Sequence, residues 1–192
     1  MKRNAAIVIA NGYTDAEFLV SFHYLKAHGF DLSVYSLNGG PVTGIQGWVH
    51  KTSYRVVEDC LQYTGEFKDL GMLVLVGGVK AIEKLRLCKL LITAIKARHN
   101  KGGIIATICH GSQLCIEADL VRGRQVLGYY SIRRDLENAG AIWPEGFETF
   151  VEDTIVSATH YDYSGDWIKR AVELWEFKYR EYLHAKDLAS GR

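Results

Sequence analysis

Cys109 has the most chemically suggestive surroundings of any side chain in the sequence. Residues 103–117, GIIATICHGSQLCIE, open with the small and β-branched run Gly103-Ile104-Ile105-Ala106-Thr107-Ile108, the composition of a buried strand. Cys109-His110-Gly111 comes immediately after, and Ser112-Gln113-Leu114-Cys115-Ile116 then resumes the apolar pattern at helical spacing. A strand that turns directly into a helix around one reactive residue is a nucleophile elbow, which lifts that residue out of the sheet. The amides of the helix then face the thiol, where they favour negative charge, hold an oxyanion and lower the thiol pKa. Cys109 is therefore the candidate nucleophile and is expected to titrate below free cysteine. The alternative is a buried structural thiol.

Two further segments could serve that thiol. Met72–Val76 is an apolar strand pattern ending in Gly77-Gly78, a pair that lets backbone amides turn into a cleft as an oxyanion site requires. A plain strand-ending turn is the other reading of those glycines. Glu17 opens the first helical pattern and could reach the thiol; it could equally be a solvated first-turn carboxylate. Ionised, it would raise the thiol pKa, and protonated and donating to sulfur it would lower it.

The elements needed to position these groups are legible as alternating strands and helices. Ala5–Ala10 reads as a first, central parallel strand and residues 11–15 as a turn, with Thr14 or Asp15 as helix cap. Helical spacing runs from Ala16 to His28, and Asp31–Leu37 is a second strand. Residues 42–57 read as short strands broken by Gly44 and Gly47, and Val79–Asn100 as one helix. After the elbow come a helix over 132–138, an extended segment at 140–143, a hairpin around Glu152-Asp153, and a final helix from Trp167 to Leu183. Residues 184–192 are expected to be frayed. This order predicts one domain over 1–192: a three-layer α/β/α sandwich with a largely parallel sheet, its site at the carboxyl ends of the strands.

Composition excludes several function classes. A net charge of +1 over 192 residues gives no electrostatic case for a nucleic-acid or membrane partner. Cys60, Cys88, Cys109 and Cys115 have neither disulfide-scaffold nor metal-ligand spacing, so no metal is expected. No apolar run reaches the length of a membrane span or a signal core, and a reducing cytoplasm, which keeps a lone thiol usable, is the expected location.

Gly12-Tyr13-Thr14-Asp15-Ala16-Glu17, Val76-Gly77-Gly78 and Ala106-Thr107-Ile108-Cys109-His110-Gly111 together resemble the ThiJ/PfpI superfamily, relatives of the Parkinsonism-associated deglycase and of class I glutamine amidotransferase domains. The similarity continues through residues 117–124, Tyr129 and residues 135–143. It implies a flavodoxin-like sandwich, usually a homodimer or larger, that acts on a small molecule without a cofactor. It also implies a protonated Glu17 bonded to the Cys109 sulfur, and an oxyanion site from the amides of Gly78 and His110. In the PfpI-like branch His110 is the base, oriented by an acidic residue of a neighbouring subunit; Glu83 best matches that residue, at a spacing one longer. Gly77, Tyr129 and His160 are substrate-contact candidates, with Arg133 and Arg134 as possible carboxylate receivers. Two departures stand out: Val76 replaces the usual proline, and residues 157–163, SATHYDY, replace a Ser-Arg and Pro-Asp-Asp-Leu segment that lines the pocket in relatives.

The activity this implies is cysteine-dependent chemistry on a carbonyl-type electrophile: glyoxalase III-like hydration of α-oxoaldehydes, or deglycation. Amide or peptide hydrolysis, a specialised hydratase in small-molecule biosynthesis, and a redox-sensing or chaperone-like stress protein are the alternatives.

Overall fold

The computed structural model describes residues 3–52, 54–55 and 71–190. Its strands are β1 (Asn4–Val8), β2 (Asp31–Ser36), β3 (Gly40–Thr43), β4 (Val49–Thr52), β5 (Tyr54–Arg55), β6 (Met72–Leu75), β7 (Ile104–Ile108), β8 (Thr149–Glu152) and β9 (Ile155–Ala158). The helices are α1 (Asp15–Ala27), α2 (Val79–Leu85), α3 (Lys89–Asn100), α4 (Ser112–Glu117), α5 (Arg133–Asn138) and α6 (Ser164–Ala189).

Seven strands form one sheet in the order β5-β2-β1-β6-β7-β9-β8, parallel throughout except where β8 returns antiparallel to β9. β1, β6 and β7 are apolar along almost their whole length because both faces of the sheet are covered. α1 and α6 pack together, while α2 and α3 both pack on α4. From β1 the chain moves outward to β2 and then back past β1 to β6, so the strand order reverses between β1 and β6. Right-handed crossovers therefore place helices on both faces and open a crevice at the carboxyl ends of β1, β6 and β7.

This is the expected α/β sandwich, with differences of detail. The middle strand is β6, not β1. The single helix expected over residues 79–100 is two: Ile82 and Leu85 face the core, then Leu91 and Ile95, and the six-residue step between the pairs breaks helical phase. Cys88 accordingly takes an extended backbone and starts α3, leaving Leu87 exposed. α6 begins at Ser164 and continues to Ala189 instead of ending at Leu183, and Trp167 anchors it by donating its indole N–H to the Val156 carbonyl at 3.0 Å. The short strands expected in 42–57 are β3 and β4, paired antiparallel, and β5; Val56, Val57 and Cys60 lie outside the described residues. Among the described residues no helix is long and apolar enough to cross a membrane.

Candidate active site

Three loops leave the carboxyl ends of β1, β6 and β7 and meet. At the end of β7, Cys109 sits at φ 56°, a left-handed conformation that costs a non-glycine residue about 1–3 kcal/mol and recurs at functional turns. Gly111, Ser112 and Tyr129 hold the strained residue in place. A side chain at Gly111 would bring its Cβ within 2.3 Å of the Leu75 carbonyl, so only glycine lets the elbow lie this close to β6. Ser112 donates to the Leu127 carbonyl at 2.6 Å, and the Tyr129 amide donates to the Cys109 carbonyl at 3.0 Å. The sharp strand-to-helix turn read from sequence is present, with Cys109 at its corner.

The Gly77-Gly78 turn closes the second side. Gly78 has φ 102°, and a Cβ there would strike the Gly12 carbonyl at 2.3 Å. Freed by that conformation, the amide of Gly78 points at the Cys109 sulfur together with that of His110. The third side is α1. Glu17, half a turn into the helix, is completely buried, which rules out the solvated first-turn reading. Its Oε2 accepts the Gly77 amide at 2.5 Å, while Oε1 is buried with no hydrogen-bond partner among the described residues. Asp15, also buried, accepts the amides of Gln46 and Trp48 at 2.8 Å each and so ties the β3–β4 ribbon to the site.

Electrostatics follow from that burial. Glu17 is pushed up to about 8 by desolvation, opposed less strongly by the Gly77 amide and by the Cys109 and Thr14 side chains. Burial also raises the Cys109 thiol, an ionised Glu17 raises it further, and the amides of His110 and Gly78 pull it down. Helix-end amides alone therefore do not yield the depressed thiol pKa expected from sequence; with Glu17 charged, the direction is upward. The two buried acids are coupled, so the charge on Glu17 bears directly on how readily the sulfur ionises. His110 Nδ1 lies 3.4 Å from Sγ, and burial lowers its pKa, which keeps the imidazole neutral.

Above the sulfur opens a cleft of about 820 Å³ whose walls include Cys109, His110, Gly78, Tyr129, His160 and Tyr161. Tyr129 stacks on His110 with ring centroids 5.0 Å apart and lies 5.8 Å from the His160 ring, so the three form one aromatic wall. His160 Nδ1 is 3.1 Å from an Asp162 carboxylate oxygen.

Of the sequence candidates, Cys109, Glu17, His110, Gly77 and Gly78 converge at the sulfur, and Tyr129 and His160 line the cleft. Glu83 does not join them within the chain: its side chain is 65% exposed and lies 3.7 Å from Arg86. Arg133 is committed to Glu137 and Glu145, and Arg134 to Glu137. Sequence reasoning missed Asp15 as the clasp of the ribbon, and missed Lys80 and Lys84, which also line the cleft. Their one-turn spacing just after Gly77-Gly78 was the available signal.

The model of the DJ-1/PfpI family matches residues 3–174. The chain belongs to that family. It is 32% identical over 165 residues to Deglycase PfpI of Pyrococcus furiosus, covering 86% of this chain and 95% of that protein. It is also 32% identical over 168 residues to Deglycase TK1284 of Thermococcus kodakarensis, covering 88% and 96%. Among solved structures, the ThiJ/PfpI domain protein from Brachyspira murdochii superposes with a TM-score of 0.82 over 91% of this chain and 97% of that one, at 19% identity, a likeness of fold. Deglycase is thus the activity carried in the names of family members at this level of similarity.

Proposed function

We propose that the protein is a cofactor-independent cysteine enzyme of deglycase type, acting on small α-oxoaldehydes or on their adducts with amines and thiols. The observation that carries this reading is the Cys109 sulfur at the base of an open cleft, faced by the amides of Gly78 and His110 and backed by a buried carboxyl whose pKa is about 8.

In this reading Glu17 stays protonated while Cys109 ionises. Oε2 is occupied as an acceptor by the Gly77 amide, which leaves Oε1 as the oxygen to carry the proton toward sulfur. The thiolate adds to the aldehyde carbon, forming a C–S bond while the carbonyl electrons move to oxygen. The Gly78 and His110 amides hold that oxyanion, and a proton then neutralises it. Neutral His110, on the cleft side of the sulfur, takes the proton from the aldehyde-derived carbon and returns it to the neighbouring carbonyl carbon through an enediol. The product is a 2-hydroxy thioester, which water cleaves to a 2-hydroxy acid and free Cys109. The sum is aldehyde plus water to hydroxy acid, with no external oxidant or reductant. For an amine adduct, the same attack follows release of the amine.

We further propose that the active form is a homodimer or larger assembly in which Glu83, exposed on α2, orients His110 of a second copy. Mixing Cys109→Ala protein with Glu83→Gln protein would then restore activity, whereas a strict monomer with full activity removes Glu83 from the mechanism. The main reading is tested by steady-state conversion of methylglyoxal to lactate, and by amine release from methylglyoxal-treated N-acetyl-lysine. Wild type should turn over many times per thiol, with none from Cys109→Ala. Stoichiometric thiol loss without turnover would instead favour the redox-sensing alternative.

A further inference from the structure

We infer that the cleft selects electrophiles that carry an anionic group, carboxylate or phosphate, received by Lys80 and Lys84. The reacting end of such a molecule rests on the proposed carbonyl chemistry, and the other end on the charge of the cleft. Residues 80 and 84 are one helical turn apart, so their side chains leave α2 on the same face, and both line the cleft that contains Cys109. Like charges at that spacing repel each other unless an anion lies between them. Among the described residues no Asp or Glu lines the cleft. The nearby carboxylates among the described residues have partners of their own: Asp15 the amides of Gln46 and Trp48, Glu17 the amide of Gly77 beneath the sulfur, Glu83 the Arg86 guanidinium, and Asp162 the His160 ring. Neither lysine makes an ion pair among the described residues.

Lys80 is also placed by packing. A Cβ on Gly12 would meet its Cβ at 2.6 Å, so the base of the side chain rests on the loop after β1, at the rim of the site. Lys84 and Asn11 are shared with a second hollow of about 300 Å³, whose other walls include Ser36, Asn38 and Pro41. Lys84 therefore stands between the cleft and a second, polar hollow, where an anion or the chain that carries it could be received. The implied substrate is elongated, with a reactive carbonyl over Cys109 and a negative tail at α2.

Two matched pairs of probes separate this inference from the enzymatic reading. The first pair labels Cys109 without any turnover: 3-maleimidopropionate against N-propylmaleimide, each rate divided by its rate with 2-mercaptoethanol. Wild type should prefer the anion. The preference should fall on the order of tenfold in the Lys80→Met/Lys84→Met double variant and shrink as salt is raised. It should be kept when both lysines become arginine and unchanged in Lys169→Met, a control on the distant α6. The second pair is 4,5-dioxopentanoate against methylglyoxal, two α-oxoaldehydes that differ in a carboxylate tail. The ratio of their kcat/KM values should drop with the same two lysines, chiefly through KM for the anion.

A maleimide preference that ignores both lysines overturns the inference, whether or not aldehydes are consumed. A preference that tracks the lysines with neither aldehyde consumed keeps the anion site and removes the carbonyl reading. Failure of both maleimides to label Cys109 counts against both.

Discussion

At the floor of the cleft, Glu17, Gly77, Cys109 and Gly111 hold one another largely through backbone, and added atoms have no room: Cβ atoms at Gly77 and Gly111 would meet neighbours at 2.9 and 2.3 Å. At the rim, His160, Tyr161, Lys80 and Lys84 are partly or fully exposed side chains facing the open cleft. Strand order and glycine geometry fix where the sulfur, the amides and the carboxyl of the floor meet. The rim is fixed by side-chain identity on helix and loop surfaces, where substitution costs little stability. In the proposed reading reaction type belongs to the floor and substrate choice to the rim, and variants of the two should fail differently.

The largest effect expected is at the floor. Cys109→Ala should reduce turnover by about 10⁴-fold or more with the fold intact, because no other group beneath the cleft can form the covalent intermediate. Circular dichroism alongside the kinetics checks this.

Glu17 should also make folding stability depend on pH. Its pKa is near 4.5 in the unfolded chain and about 8 when folded, so the folded state binds the extra proton between those values. Stability should be fullest below about pH 4.5 and decline as pH rises through about 8, by up to about 5 kcal/mol from this group. Urea midpoints across that range should fall for wild type and lose most of that slope in Glu17→Gln. An equal slope in both would place the carboxyl in water.

Gly111→Ala should cost about 3 kcal/mol, since its Cβ would meet a carbonyl that belongs to the sheet itself. At the rim, His160→Ala should change KM about three- to tenfold while leaving kcat and the unfolding midpoint nearly unchanged. A collapse of kcat there would move His160 from the rim to the chemistry and break the distinction between the two regions.

The same distinction explains what could be read without coordinates. The parallel strands showed as unbroken apolar runs because both sheet faces are covered, and the elbow showed because an apolar strand runs straight into Cys109-His110-Gly111, where only glycine fits at 111. Glu17 had two meanings in sequence, since a first-turn glutamate is a common solvated feature; only the approach of the Gly77 loop and the Cys109 elbow to α1 buries it. The break at residues 86–88 was obscured because leucine, arginine and cysteine suit helix and loop alike, and only the six-residue step from Leu85 to Leu91 marks it. Lys80 and Lys84 were hidden for a related reason: lysines on a helix are usually solvated, and the cleft they face is assembled from loops far apart in the chain.

The proposed chemistry depends on Glu17 holding its proton so that Cys109 can carry the charge. The direct measurement is thiolate absorbance against pH in wild type, Glu17→Gln and Glu17→Leu, each referenced to its Cys109→Ser counterpart. A protonated Glu17 donating to sulfur predicts a wild-type thiol below the ordinary value of about 8.5, little change with Gln, and a clear rise with Leu. The contradicting result is a wild-type thiol at or above that value that falls when Glu17 becomes Leu, because removing a neighbouring negative charge lowers a thiol pKa and removing a donor raises it.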